Sequence, residues 1–413
     1  MVVYHIRRMR ETANTLNKLD IISPIIFLVI PLLGVITSFY FLLKKESKRN
    51  LYEFAFLMAL YVAFINVTKT YDLDLDLEWY STQYIDAGSM SYIEYIFSFG
   101  INGKGKELFF PTFNYIIYQI IGDNVYLYRI IHSFICYIIA FFAIIKFSIL
   151  LNIKYIQITI PIIFFTCFPW IFTYSETVFR QFLASSFLLY IIIEHLFYKK
   201  KMILLSICMF LTHTSTLIFI PLIYIPLFQK KLSKKNAIYC ILCIVIFAFI
   251  QPISNLLLNI LGNTIPALSY VLERASKDTT FELPPLSISK ILFLISEIYI
   301  LIKIYYKDKH NKIFNDVNTN IDGHFAFANI VIILNCFILG NIHQLELSNR
   351  FFMYSVFIAS LIICPLLKKY KLSKPIIVLF FLTFNLILIY YYNTSMYTYD
   401  IPYGILFLPL MYI

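Results

Sequence analysis

Apolar segments long enough to cross a bilayer recur from one end of this chain to the other. A helix rises 1.5 Å per residue, so about 20 apolar residues cross the roughly 30 Å of hydrocarbon. Such segments occupy residues 21–43, 51–68, 125–147, 155–174, 178–198, 237–261, 288–306, 325–342, 351–367 and 375–392. With 60% hydrophobic and 14% charged residues, the chain is not a soluble globular domain. We predict an all-α, polytopic integral membrane protein with about ten transmembrane helices.

The remaining segments leave no room for a second domain. Two shorter apolar segments, 109–121 and 402–413, are too brief to cross upright and are predicted to be interfacial or re-entrant helices. We therefore predict a single membrane domain over residues 1–413. Within this domain, residues 1–20 form a basic N-terminal tail, and residues 69–124 and 262–287 form two large outer loops.

Lysine-rich turns predict which ends of the helices face the cytoplasm. Short loops that carry Lys and Arg resist translocation across the membrane. The turns lie at residues 44–49, 146–154, 199–201, 229–235, 306–312 and 368–374. The basic tail competes with the 44–49 turn for the cytoplasmic side, and the regular alternation of the later loops favours an N-terminus outside. We expect a multi-pass membrane protein whose lysine-rich turns face the cytoplasm.

Segment 202–228 has lysines at both of its ends, so one straight span would place one cluster on the wrong side. A broken re-entrant hairpin resolves the conflict, with its bend at the polar island that runs from Thr212 to Ser215. Pro221 and Pro226 lie in the returning arm and disfavour a continuous helix. Non-helical backbone at membrane depth is tolerated where it is buried in protein or lines a cavity. The hairpin therefore predicts a polar cavity.

The arginines beyond residue 50 follow a different distribution from the lysines. All four of them, Arg129, Arg180, Arg274 and Arg350, fall at or near the predicted outer face. Orientation of the chain requires only positive charge, whereas the planar guanidinium also binds phosphate through two parallel hydrogen bonds. The segregation favours an anionic substrate outside the cell. The alternative is a set of unrelated ion pairs, such as one between Arg180 and Glu176 four residues before it.

Arg180 and His213 are the two candidate catalytic residues. A charge at the lip of an apolar helix is costly without a partner or cavity, which favours a functional role for Arg180. His213 lies at the predicted bend and is a candidate base. At 1.5 Å per residue it stands about 18 Å above Lys201, whereas Arg180 stands about 28 Å above Lys199. Contact between them requires a tilt or a dipping cavity; otherwise His213 stabilises the bend through hydrogen bonds.

The loop at 69–124 carries an aromatic and acidic pattern that suits a sugar. Asp76, Tyr80 and Tyr84 are spaced by four, which places them on one face of a helix beside Trp79. Aromatic rings stack on sugar rings, while a carboxylate accepts bonds from hydroxyl groups. The alternatives are an ordinary aromatic belt at the membrane surface, or a divalent metal site built from the three acidic residues Asp72, Asp74 and Asp76.

The two later outer loops offer further charged candidates. Loop 262–287 carries Arg274 and is either a lid or a plain connector. The segment from 341 to 350 concentrates polar residues, among them His343, a second candidate base, and Arg350.

With these residues in place, the chain resembles the EpsG/Wzy group of bacterial polysaccharide polymerases over roughly residues 60–365. The resemblance rests on four places: Lys69 with Asp76, Tyr80 and Tyr84; the stretch from Glu107 to Phe113; Arg180-Gln181 with Ala184, continued by His213-Thr214-Ser215; and Arg350 with Tyr354. One departure is Lys69, where the family usually has arginine. The change matters because lysine lacks the bidentate geometry of a guanidinium.

The resemblance implies a glycosyltransferase of the Wzy type, with a GT-C-like architecture. Such an enzyme joins oligosaccharide repeat units carried on undecaprenyl pyrophosphate at the outer face of the bacterial cytoplasmic (inner) membrane. It works without cofactor or bound metal. Arg180, Arg274 and Arg350 would hold the pyrophosphate, and His213 would be the base. Lys69, Asp76, Tyr80, Tyr84 and Gln181 would bind substrate. Expected partners are the lipid-linked glycan, the bilayer and a chain-length regulator, with no nucleic acid.

Three other functions remain open from the sequence. A GT-C glycosyltransferase that uses a polyprenyl-phosphate sugar would employ an acidic loop motif such as Asp74 and Asp76. An O-antigen ligase would differ only in its acceptor. A flippase for lipid-linked glycans would also need a cationic cavity, but with charges deep in several spans rather than at one face.

Overall fold

The computed structural model describes residues 22–67, 76–101, 107–231, 250–261, 286–307, 321–342 and 344–394. These residues form helices joined by short turns, and no strand occurs among them. The helices are α1 Ile22–Val29, α2 Pro31–Lys44, α3 Lys48–Val67, α4 Asp76–Asp86, α5 Tyr92–Tyr95, α6 Phe109–Ile121, α7 Val125–Leu150, α8 Tyr155–Cys167, α9 Pro169–Thr177, α10 Phe179–Ile192, α11 Ile203–Thr212, α12 Phe219–Tyr224, α13 Pro226–Gln229, α14 Ile250–Leu261, α15 Ile288–Leu301, α16 Ile321–Gly340, α17 Leu345–Lys369 and α18 Lys374–Thr394. The all-α prediction is confirmed.

Three helices of the described part are long and apolar enough to cross a membrane, namely α7, α16 and the Leu347–Lys369 part of α17. A fourth span results if α8 and the Pro169–Ser175 part of α9 are counted together, although they meet at an angle of 57°. Together with the shorter apolar helices, these spans make the chain a membrane protein. The total of about ten transmembrane helices stays a prediction.

The predicted single span at 21–43 is wrong. The chain leaves helical geometry at Ile30 and starts α2 at Pro31. A Cβ added to Gly34 would lie 2.5 Å from the Cα of Phe27, so α1 and α2 pack closely across the break. The segment at 155–174 breaks in the same way at Phe168, directly before Pro169. Proline disfavours helical geometry in the residue before it and suits the first position of a new helix. A prediction from mean hydropathy does not detect such a break, because proline changes the backbone geometry and not the apolar character of the segment.

The bend predicted within 202–228 is confirmed. Helix α11 ends at Thr212, a 3₁₀ turn covers Thr214–Ile218, and α12 follows. The Ser206 Oγ lies 2.8 Å from the Tyr224 hydroxyl. In one straight helix these residues would be about 27 Å apart. The chain therefore turns back on itself at the polar island.

Helix ends with lysine-rich turns gather at one end of the molecule. Lys48, Lys146 and Tyr198 line a common cavity there. At the same end, Lys374 Nζ donates to the Leu43 carbonyl over 2.8 Å. Because α7 and α10 each begin with an arginine-containing turn and end near Lys146 or Lys199, their arginine ends lie at the opposite pole. Which pole faces the cell exterior stays a prediction.

A buried polar cluster links three helices in the core. Glu297 of α15 accepts hydrogen bonds from Asn335 Nδ2 of α16, over 2.7 Å, and from Ser355 Oγ of α17, over 2.6 Å. Inter-helix hydrogen bonds of this kind contribute roughly 0.6 kcal/mol each to association in membranes. The cluster fixes the register of α15 against the helix that carries Arg350 and Tyr354.

Candidate functional site

Arg180 lies in the first turn of α10, and its guanidinium is held by groups from distant parts of the chain. Its Nη1 is 2.7 Å from Glu107 Oε2, and its Nε donates to the Tyr80 hydroxyl over 3.2 Å. The guanidinium also lies 5.2 Å from the ring centre of Trp79, within range of a cation–π contact. The Glu176 side chain, the alternative partner, lies outside the described residues. Among described partners, two of the five N–H donors are used, which leaves donors for an anion.

Glu107 is the carboxylate on which this site is built. It precedes α6 and only 4% of its side chain is exposed. Its second oxygen, Oε1, accepts the Thr214 N–H over 3.0 Å. Burial raises the pKa of Glu107 above its ordinary value, while the Arg180 guanidinium, the Thr214 N–H and the charge of Arg350 act in the opposite direction. From the sequence alone, Glu107 is only the first residue of a family-like stretch and has no predicted role.

The signal for Glu107 was nevertheless present in the sequence. A lone carboxylate directly before an apolar aromatic run must either be solvated or find a cation. Its flanking sequence, Leu108-Phe109-Phe110, favours burial. Pairing it with Arg180 required the tertiary structure, because 73 residues separate the two.

The bend of the hairpin brings His213 into the same network. Ser215 donates its backbone N–H to His213 Nδ1 over 3.4 Å, and its Oγ lies 2.6 Å from the same nitrogen. Ser215 Oγ also lies 2.7 Å from the Tyr354 hydroxyl. Nδ1 acts as an acceptor towards the backbone N–H, so the hydrogen-bond pattern assigns the proton of the neutral ring to Nε2.

The difference in height between Arg180 and His213 is therefore bridged. The carboxylate of Glu107 contacts the guanidinium with one oxygen and the residue after His213 with the other. The side chain of Glu107, from the loop before α6, fills the gap between Arg180 and the bend at His213. His213 stabilises the bend and, through Ser215, lies in a continuous chain of polar groups.

Helix α17 closes the site from a fourth direction. The Gln181 side-chain amide donates to the Arg350 carbonyl over 2.6 Å, which ties α10 to α17. The Gln181 side chain also lies close to the Tyr354 hydroxyl. The charge of Arg350 is close enough to act on Glu107. Two of the predicted anion-binding arginines, Arg180 and Arg350, thus lie around one carboxylate.

The predicted aromatic helix forms as α4, but its face turns inward. Tyr80 is 1% exposed, and its ring stacks on Phe179 with centroids 5.5 Å apart. Tyr84 is fully buried: its hydroxyl donates to the Gly122 carbonyl over 2.5 Å, and its ring stacks on Tyr128. In this geometry the ring of Tyr84 has no face available to a sugar. Asp76, by contrast, is exposed at the start of the helix.

Several predicted residues fall outside the part of the chain that the structure describes, and one described arginine is buried elsewhere. Lys69, Arg274, His343 and the pair Asp72 and Asp74 lie outside the described residues. Among the described ranges, no group of three His, Cys, Asp or Glu is placed to hold a metal ion. Arg129 is described and fully buried, so the four outer arginines do not form a single exposed anion site.

The arrangement as a whole is a partly enclosed cationic site with a built-in acid–base chain. Arg180 offers donors to an anion, a buried carboxylate orients it, and the charge of Arg350 lies nearby. A serine connects an imidazole to a phenol. Such preorganised charges act strongly where water is restricted. The geometry suits the binding of a doubly charged group next to a proton acceptor.

Comparison with known proteins matches residues 54–409 to the EpsG family. That range contains every residue of the site described above. No curated protein and no solved structure matches the chain.

Proposed function

The chain belongs to the EpsG family, and on this premise we propose that it is a polysaccharide polymerase. It joins oligosaccharide repeat units carried on undecaprenyl pyrophosphate, by glycosyl transfer with release of the lipid pyrophosphate. One observation carries the proposal: Glu107 joins the guanidinium of Arg180 to the His213 bend in a single hydrogen-bonded network.

The two arginines are assigned to the leaving group. When the bond between the anomeric carbon and the pyrophosphate breaks, negative charge accumulates on the departing oxygen. Arg180 has donors to spare and is held in place by Glu107 and Tyr80, so it stabilises that charge without reorganising. Arg350 adds a second positive charge, and Lys69 and Arg274 are retained as assisting residues.

The acceptor hydroxyl must lose a proton as it attacks the anomeric carbon. We assign His213 as the final proton acceptor, through Nδ1. In the observed geometry Ser215 Oγ stands between Nδ1 and the Tyr354 hydroxyl. The acceptor hydroxyl passes its proton to Ser215 Oγ, whose own proton moves to Nδ1. The imidazolium that forms lies beside the bend that Glu107 contacts, which favours its charge.

The glycan is assigned to the rim of the site next to α4. Asp76 is exposed there, and Trp79 lies over the guanidinium of Arg180. Tyr80 acts through its hydroxyl on Arg180, and Gln181 acts by tying α10 to α17. Tyr84 supports α4 from beneath rather than through direct contact with sugar.

The decisive test replaces Arg180 with alanine in cells and in isolated membranes. We expect the polymerisation rate to fall by about 100-fold or more, the usual loss when a preorganised group for transition-state charge is removed. Glycan with a single repeat unit should then accumulate on its lipid carrier. Arg180→Lys should recover only part of the rate because lysine lacks the planar fork. Arg49→Ala, an exposed arginine at the opposite pole, is the matched control.

The other outcomes point to the alternative functions. Chains of normal length in the Arg180→Ala strain would contradict the assignment. Loss of all surface glycan, single units included, would favour a ligase or a flippase. Loss of the purified activity on addition of EDTA would favour the metal site at Asp72, Asp74 and Asp76, and with it a GT-C enzyme of the other kind.

A further inference from the structure

A second cavity lies at the far end of α10 from the site. It has a volume of about 420 Å³, within the range typical of ligand sites. Six of its lining residues come in pairs from three helical segments: Lys48 and Tyr52 of α3, Phe142 and Lys146 of α7, and Tyr190 and Tyr198 at the end of α10 and just beyond it. Tyr198 stands about 27 Å from Arg180 along the helix axis, so the cavity is separate from the site.

The charges around this cavity do not cancel. Lys146 and Lys200 both pair with Glu194, whose side chain is only 1% exposed. Lys48 adds a third ammonium group at the cavity wall. Among the described residues that line the cavity, two are lysines and none is acidic. The surplus favours an anion in the cavity.

Aromatic rings hold the ammonium groups in position. The Nζ of Lys146 lies 4.9 Å from the ring centre of Tyr198 and 5.5 Å from that of Tyr190. The Nζ of Lys48 lies 5.7 Å from the ring centre of Tyr52. Two oriented ammonium groups facing one cavity are what a phosphate requires.

The apolar part of the wall indicates how the phosphate is carried. Phe142 belongs to the cavity and is 40% exposed on the outer surface of α7. The cavity therefore opens beside the apolar surface of a membrane-spanning helix, at its lysine-rich end. Basic pockets between transmembrane helices on the cytoplasmic side bind the head groups of anionic lipids. We propose that this cavity binds the phosphate of an anionic glycerophospholipid, whose acyl chains lie along α7.

The test measures lipid binding to the purified full-length protein and does not depend on polymerase activity. The probes are nanodiscs of phosphatidylglycerol, nanodiscs of phosphatidylcholine, and inorganic phosphate added to phosphatidylcholine nanodiscs. We expect phosphatidylglycerol to raise the melting temperature above that in phosphatidylcholine. Native mass spectrometry should show phosphatidylglycerol retained after delipidation. Inorganic phosphate alone should give a smaller shift because it lacks the acyl chains.

Lys48→Gln is the informative variant, because Lys48 is exposed and its loss leaves the Lys146–Glu194 pair intact. We expect it to weaken phosphatidylglycerol binding about fivefold, the effect of one lysine near an anionic surface. Lys303→Gln removes an exposed lysine that also lies over a tyrosine, but outside this cavity, and should bind as the wild type does. Equal binding by Lys48→Gln and the wild type would overturn the proposal. If inorganic phosphate alone raised the melting temperature as much as phosphatidylglycerol does, the ligand would be free phosphate and not a lipid.

Discussion

At the scale of single residues, the carboxylate of Glu107 decides where Arg180 points. Its two oxygens contact a guanidinium and a backbone N–H from segments that are far apart in the chain. A buried carboxylate with both oxygens satisfied has a defined orientation, and it transfers that orientation to its cation. The site therefore depends on a residue whose role is to position another.

Glu107→Gln tests this positioning role through the dependence of rate on pH. Burial raises the pKa of Glu107, so as pH falls its carboxylate is protonated at a higher pH than an ordinary glutamate. Protonation removes the ion pair, and we expect the rate to fall through that pKa. The amide variant should be slower by about 10- to 100-fold at neutral pH, because small misplacements are costly. It should also lack this acid limb.

The measurement is the initial rate of repeat-unit polymerisation by membranes between about pH 5 and 8. An acid limb in the Glu107→Gln profile identical to that of the wild type would assign the titration to another group. A wild-type rate at neutral pH would contradict the positioning role itself.

The two tyrosines of α4 form a matched pair of variants. Among the described residues, the Tyr80 hydroxyl accepts from Arg180, whereas the Tyr84 hydroxyl donates to the Gly122 carbonyl. We expect Tyr80→Phe to lower the polymerisation rate with little change in melting temperature. Tyr84→Phe should instead lower stability by about 1 kcal/mol, the usual contribution of one hydrogen bond. A large loss of rate with unchanged stability in Tyr84→Phe would restore a direct role in sugar binding.

At the scale of helices, breaks in the apolar segments determine what the site can contain. A continuous helix would use the Thr214 N–H in its own hydrogen bonds. The break at His213 leaves this N–H to bond Glu107. The polar island and the lysines at both ends of 202–228 were sufficient to predict this bend. The length and hydropathy of segment 21–43 predict one span and do not reveal the break before Pro31.

The hairpin predicts that both ends of 202–228 are on the same side of the membrane. Cysteines placed at the exposed positions Lys201 and Lys230 should therefore react with the same side-specific reagent. A straight span would expose them on opposite sides. The wild type, with its native cysteines, provides the background labelling. Reaction of the two positions from opposite sides would contradict the hairpin and the proton path through Ser215.

At the scale of the whole molecule, the helices separate two chemistries to two poles. Arg180 and Arg350 lie with a carboxylate and an imidazole at one pole, and lysine-rich turns lie with tyrosines at the other. A single helix, α10 with the turn that follows it, connects Arg180 to the lysine-rich cavity at Tyr198. This polarity is consistent with a reaction at one face of the membrane and anchoring at the other.

The orientation of the poles is tested with cysteines at the two ends of α7. Asp123 and Lys154 are exposed just outside opposite ends of this 26-residue helix. In intact cells we expect Asp123→Cys to react with a membrane-impermeant reagent. Lys154→Cys should react only after the membrane has been opened. The reverse pattern would place the Arg180 site on the cytoplasmic side and contradict the proposed substrate.

The sequence by itself determined the class of protein, the distribution of its charges and the residues worth attention. Apolar length, lysine turns and isolated polar residues are local properties, and the free energy of transfer into a membrane depends on them directly. It also supplied Arg180, Gln181, His213 and Arg350 as candidates.

Only the tertiary structure decided which candidates act together. Glu107 meets Arg180 across 73 residues, and Tyr354 meets Ser215 across 139. Tyr84 is buried by stacking on Tyr128 and by its hydrogen bond to Gly122. No periodicity encodes such pairings, because they follow from how several helices pack at once and from the need of each buried polar group for a partner.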